Sequence, residues 1–188
     1  MSKEQLPGEI RSFIRANAKK VGLIIAALLL FSFVFHGSIK AAVIIPILIL
    51  AASFSTFYFN YVSLPVNFEL VKLATILAAV SYGFLPGIAV GISSTFFGKV
   101  LIGRIDEKLP LSMLAIAIIA LAASILHGID ITALGISLVL AYNTMMLLVS
   151  IMLGGNMAWN LPYEASSFFF NLLLFTKVAP LLLQAMRP

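Results

Sequence analysis

The 188-residue sequence contains no cysteine, only two histidines and few charged residues. Without cysteine there is no disulfide and no thiolate chemistry. His36 and His127 lie too far apart along the chain to indicate a histidine-rich metal site. Charged residues make up 10% of the sequence, whereas soluble domains contain roughly a quarter. The scarcity of charge argues against an ordinary soluble domain, a disordered segment or a coiled coil.

What the sequence has instead is apolar surface, because 62% of its residues are hydrophobic. A backbone in lipid must satisfy its own hydrogen bonds, so apolar runs of this kind are expected to be helices. We predict an all-α, polytopic helical membrane protein, with a polar or amphipathic segment over 1–18 and a single transmembrane domain over 19–188. The expected spans are about 20–36, 41–60, 67–83, 87–103, 109–127, 131–153 and 165–186. No clear cleavage pattern follows the first run, so we expect a retained helix rather than a signal peptide.

The net charge is +5, and five of the twelve basic residues cluster near the N-terminus: Lys3, Arg11, Arg15, Lys19 and Lys20. In a membrane protein, clustered Lys and Arg favour the cytoplasmic side. The charge therefore predicts a multi-pass protein of the cell membrane with its N-terminus in the cytoplasm. It does not indicate a nucleic-acid partner; the lipid bilayer is the expected one.

Motifs for membrane catalysis and nucleotide hydrolysis are missing from the sequence. It contains neither His-Glu-x-x-His nor Gly-x-Ser-x-Gly, and no phosphate-binding glycine loop with lysine. The predicted spans carry almost no carboxylates, which disfavours ion pumps and proton relays. We predict a protein that is not an enzyme, with no catalytic residue, no metal and no cofactor.

Polar side chains concentrate in the connectors at 61–66, 104–108 and 154–164, which fall on one side of the membrane when the spans are counted. Amides, phenols, an indole and carboxylates can hold a small polar ligand. Alternatively, these residues are simply polar loops, with Trp and Tyr marking the membrane interface. Glu69 and Lys72 lie three residues apart and can form a local pair. The candidate ligand-binding residues are Asn60, Asn67, Glu69, Arg104, Asn156, Trp159, Asn160, Tyr163 and Glu164.

Small residues recur along the fourth run, at Gly87, Gly91, Ser94 and Gly98. Their offsets place them on one helical face, where another helix can approach closely. Two interpretations stay open: internal packing, or a face on which a partner protein docks.

The layout of the chain from about residue 41 to 186 resembles a known family. A polar, proline-containing link (60–67) precedes a hairpin turned by the segment 82–91; two helices, another polar link and a last helix follow. This resembles the substrate-binding S-components of energy-coupling-factor vitamin transporters, and is similar to the MreD rod-shape family. The resemblance implies a six-helix bundle, to which the 20–36 helix adds one N-terminal helix.

The two families imply different functions. The S-component resemblance implies a transporter subunit without ATPase activity, which binds a vitamin or similar micronutrient through its polar connectors on the outer face. Its partners would be a transmembrane coupling subunit, met by small residues such as Ala51 and Ser55, and ATPase subunits. The MreD resemblance implies a membrane scaffold that binds partner proteins rather than a small ligand. The candidate partner-binding residues are Ala51, Ser55, Gly87, Gly91 and Gly98.

Overall fold

A computed structural model describes residues 39–62, 64–103 and 105–186, and these ranges contain helices and no strand. The prediction of an all-α protein is thereby confirmed, while the predicted segments 1–18 and 20–36 lie outside the described residues. The elements are α1 (Ile39–Phe54), a 3-10 turn (Phe57–Asn60), α2 (Val71–Tyr82), α3 (Phe84–Leu101), α4 (Leu109–Ile125), α5 (Ile131–Met152), α6 (Met157–Leu173), a π-helical turn (Leu174–Val178) and α7 (Ala179–Met186).

Four helical stretches of the described chain are long and apolar enough to cross a membrane. They are Lys40–Asn60, Phe84–Leu101, Ile131–Met152 and Met157–Met186, the last comprising α6, the π-helical turn and α7. The other two helices are apolar but have only 12 and 17 residues. At about 1.5 Å per residue, α2 reaches well short of the roughly 30 Å hydrocarbon core. The structure therefore supports a membrane-embedded protein in which not every helix spans the bilayer alone.

The short helix α2 is the centre of the bundle. It packs against α1, α3, α4, α5 and α7, and every residue from 71 to 79 is buried. One of these buried residues is a lysine, Lys72, whose exposed fraction is 0%. A helix surrounded on all sides can be short because its neighbours, rather than lipid, cover it.

The last helix begins at Met157, so the expectation that 154–164 is a connector and the helix starts near 165 was wrong. The Asn156 side chain caps the helix by accepting a hydrogen bond of 2.9 Å from the Ala158 backbone N–H. Pro162 lies inside this helix, although proline there removes a backbone hydrogen bond. Polar residues and proline made the segment resemble a loop, whereas it forms two additional helical turns.

The predicted turn between the third and fourth runs is shorter than expected. Gly83 alone separates α2 from α3, with a φ of +92° that favours glycine. Pro86 lies in the first turn of α3, where its missing N–H removes no helical hydrogen bond. The helix therefore starts at Phe84 rather than near residue 87.

The glycines of α3, for which both internal packing and partner docking were open, pack inside the chain. A Cβ on Gly87 would lie 2.5 Å from the Ala79 Cβ, and one on Gly98 would lie 3.0 Å from the Thr56 Oγ1. A Cβ on Gly91 would overlap Ile116 Cγ2 and lie 2.7 Å from the Thr75 Oγ1. All three glycines are buried against other residues of the chain, which favours internal packing over a docking face.

The two candidate partner-binding residues on and after α1 differ from each other. Ala51 is exposed on the surface of α1. The Ser55 hydroxyl is used internally, because it donates to the Ala52 carbonyl and accepts a 2.9 Å hydrogen bond from the Leu70 N–H. Ser55 therefore anchors the start of α2 within the chain.

Candidate functional site

The polar connectors meet at one end of the bundle, where α1, α3 and α5 end and α2, α4 and α6 begin. They surround a cavity of about 290 Å³. Its lining combines charged, amide, hydroxyl and aromatic side chains: Thr56, Phe59, Asn67, Glu69, Val71, Thr95, Gly98, Lys99, Ile102, Asp106, Lys108, Ser112, Tyr142, Met146, Ser150, Trp159, Asn160, Tyr163 and Glu164. Residues flanking the first connector, residues of the 104–108 connector and the first turns of α6 thus line one cavity, and the side of the membrane that it faces stays a prediction.

Six of the nine candidate ligand-binding residues line this cavity, namely Asn67, Glu69, Trp159, Asn160, Tyr163 and Glu164. Asn60 is exposed at the end of the 3-10 turn and Asn156 is the exposed cap of α6; neither lines the cavity. Arg104 lies outside the described residues. That the six bind a ligand stays a prediction.

The connector before α2 is fixed by hydrogen bonds to neighbouring elements. The Tyr58 hydroxyl donates to the Val66 carbonyl at 2.9 Å and accepts from the Phe68 N–H at 2.8 Å. The Asn67 N–H donates to Ser166 Oγ on α6 at 2.9 Å. These contacts hold Asn67, which is buried, in a defined position in the cavity wall.

An ion pair lies beneath the cavity. Lys72 Nζ is 2.5 Å from Glu69 Oε1, confirming the predicted pair, and also lies 4.8 Å from the centroid of the Tyr142 ring. Burial raises the pKa of the Glu69 carboxyl, but the positive charge of Lys72 and hydrogen bonds from Lys72 and Asn67 outweigh it and hold that pKa below its ordinary value. Glu69 is therefore ionised at neutral pH, and the pair is fixed at the base of α2.

A second ion pair and a further lysine lie on the α3–α4 side. Lys99 Nζ is 2.9 Å from Asp106 Oδ2, and both side chains are partly exposed. Lys108 Nζ donates a 2.8 Å hydrogen bond to Ser150 Oγ at the end of α5. This bond connects the start of α4 with the end of α5 across the cavity.

The first turns of α6 supply one wall. Asn160 and Glu164 are four residues apart and thus neighbours on one helical face. Among the described residues, Asn160 Nδ2 and Glu164 Oε2 are buried and have no hydrogen-bond partner. The Glu164 backbone carbonyl accepts a 3.1 Å hydrogen bond from Asn143 Nδ2, which joins α6 to α5.

Aromatic rings complete the wall. The rings of Phe59 and Tyr163 are stacked with centroids 6.0 Å apart, and Trp159, with half of its surface exposed, lies one turn before Tyr163. Buried polar atoms without partners beside aromatic faces are the surroundings that small polar ligands use.

Several cavity residues were not predicted from the sequence. Lys99 lies near the end of an apolar run, Lys108 lies in the charged connector 104–108, and Tyr142 lies within an apolar run; none of them was among the candidate ligand-binding residues. A lysine near the end of a predicted span or directly before one is the signal that could have identified both residues. Tyr142 has no such signal, because it lies within the apolar run of α5.

Comparisons with protein-family models, with curated proteins and with solved structures found no match to this chain.

Proposed function

We propose that this protein is the substrate-binding integral membrane subunit of a small-molecule uptake transporter and has no ATPase activity of its own. The observation that carries the proposal is the cavity at the end of an apolar helical bundle, built from six elements and lined by charged, amide and aromatic side chains. Placing charged and polar groups inside an apolar bundle costs free energy and does not strengthen membrane anchoring. Binding of a polar ligand would offset that cost.

The size and chemistry of the cavity suit a vitamin or similar micronutrient. At about 290 Å³, its volume is just below the roughly 300–1,000 Å³ of small-molecule sites. Its walls offer stacking surfaces from Trp159 and Tyr163 and hydrogen-bonding groups from Asn160 and Glu164. A small, water-soluble molecule with an apolar or aromatic part matches this combination.

In this proposal, a transmembrane coupling subunit and ATPase subunits act as partners, and the protein lies in the cell membrane. Ala51 remains a candidate for the surface that meets the coupling subunit, because it is exposed on α1. Small residues at such positions allow close approach of another helix. Gly87, Gly91 and Gly98 are excluded from this role because they are buried within the chain.

The test of ligand binding uses purified protein and a panel of water-soluble vitamins, with thermal shift and calorimetry as readouts. We expect at least one vitamin to bind, and Trp159→Ala and Asn160→Ala each to weaken it by about tenfold or more, equivalent to about 1.4 kcal/mol. Asn60→Ala is the matched control, since this exposed amide lies outside the cavity. If no vitamin shifts the melting temperature at saturating concentration, the proposal fails.

The side of the membrane on which the cavity opens is a second test. The basic N-terminus and seven counted spans place the connectors inside, whereas uptake requires the cavity to be outside. Glu107→Cys introduces an exposed thiol into a sequence without cysteine. Labelling of intact cells by a membrane-impermeant maleimide supports uptake; labelling only after permeabilisation counts against it and favours the MreD-like scaffold.

A further inference from the structure

The charged groups of the cavity pair with each other except for two. Glu69 pairs with Lys72, and Lys99 pairs with Asp106. Lys108 and Glu164 also line the cavity, but no ion pair involves either of them among the residues that the structure describes. One lysine and one glutamate side chain without an ion pair among the described residues therefore border the same space.

The two unpaired groups come from different helices. Lys108 precedes α4, and its ammonium makes one hydrogen bond, to Ser150 Oγ, although it has three N–H groups to donate. Glu164 lies in the second turn of α6, and its Oε2 is buried without a partner in the described part of the chain. Both groups can still form hydrogen bonds with a ligand.

An unpaired charge away from bulk water has a large free-energy cost, which an opposite charge from a ligand offsets. Among the described residues in or next to the cavity, three are lysines (72, 99, 108) and three are acidic (69, 106, 164), so the two kinds are equal in number. A ligand with a single net charge would disturb that balance, whereas a ligand with one charge of each sign preserves it.

We propose that the cavity binds a small zwitterion, with its anionic group at Lys108 and its cationic nitrogen at Glu164. This inference rests on the proposed function and specifies the class of substrate. The faces of Trp159 and Tyr163, on the same helix as Glu164, add to recognition of the cation because aromatic ring faces attract positive charge.

The experiment is equilibrium dialysis of the purified protein against a defined equimolar mixture of amino acids, betaines, amines, carboxylic acids, nucleobases and water-soluble vitamins. Mass spectrometry then measures which compounds are enriched. We expect the enriched compounds to carry both a cationic nitrogen and an anionic group. Analogues lacking either charge should bind about tenfold more weakly or worse.

Two variants test the assignment of the charges. Glu164→Gln should reduce binding of the zwitterion but not binding of its analogue without the cationic group. Lys108→Gln should reduce binding of the zwitterion but not binding of its analogue without the anionic group. Glu107→Gln is the control, because this exposed neighbour of Lys108 does not line the cavity. Size-exclusion profiles and melting temperatures verify that each variant is folded.

The outcomes separate the two proposals. Enrichment of neutral or singly charged compounds in preference to zwitterions overturns the inference and leaves the binding function supported. If both variants weaken binding of the zwitterion and binding of its analogues equally, the assignment of its charged groups to Lys108 and Glu164 is wrong. If no compound is enriched, the proposed function fails, and the zwitterion inference with it.

Discussion

The most direct test of the site's architecture is removal of the buried lysine. In Lys72→Met the side chain keeps its length and apolar stem but loses the ammonium group. The Glu69 carboxylate, 17% exposed and 2.5 Å from Lys72 Nζ in the native protein, then stays without its cation. The Tyr142 ring loses the ammonium 4.8 Å from its centroid.

The matched control is the other lysine–carboxylate pair. Breaking a buried pair by removing one partner costs about 3–5 kcal/mol, so we expect a loss of that size in the free energy of unfolding for Lys72→Met. The Lys99–Asp106 pair is 29% and 44% exposed, and an exposed pair contributes about 0–1 kcal/mol. Lys99→Met should therefore cost about 1 kcal/mol or less.

The assay is denaturant unfolding in detergent micelles, followed by far-ultraviolet circular dichroism. A double variant, Glu69→Gln with Lys72→Met, should recover part of the loss because no unpaired buried charge remains. Equal losses for Lys72→Met and Lys99→Met would refute the reasoning. So would a double variant as unstable as Lys72→Met alone.

Two further predictions concern packing and pH. Gly135→Ala should destabilise the protein by about 1–3 kcal/mol, because a Cβ there would overlap the buried Phe175 ring; Gly128→Ala, with nothing within 4 Å of its Cβ, should be nearly neutral in thermal unfolding. Because the folded-state pKa of Glu69 is lowered, its stabilising contribution is present above the ordinary glutamate pKa of about 4.3 and is lost as the pH falls through the folded value. Melting temperatures between pH 7 and 3 should decline less steeply in Glu69→Gln, and an unchanged slope would contradict this.

Much of the helical architecture could be predicted because it depends on local properties of the sequence. Apolar runs indicated α1 to α5 and the last helical stretch, which ends with α7. The spacing of Glu69 and Lys72 indicated their pairing. The start of the last helix was missed because Pro162 and the polar residues around it are also typical of a loop. Capping by Asn156 and contacts with α5 decide that segment in favour of helix.

The sequence by itself determined that this is a helical protein with runs apolar enough to lie in a membrane. Hydropathy and residue spacing are read along the chain, so they need no knowledge of which helices meet. Only the tertiary structure decided that Lys72 is buried, that the glycines of α3 pack internally and that no ion pair within the described residues involves Lys108 or Glu164. Those facts depend on neighbours distant in sequence, because the free energy of a charge or a missing side chain is set by the groups around it in space.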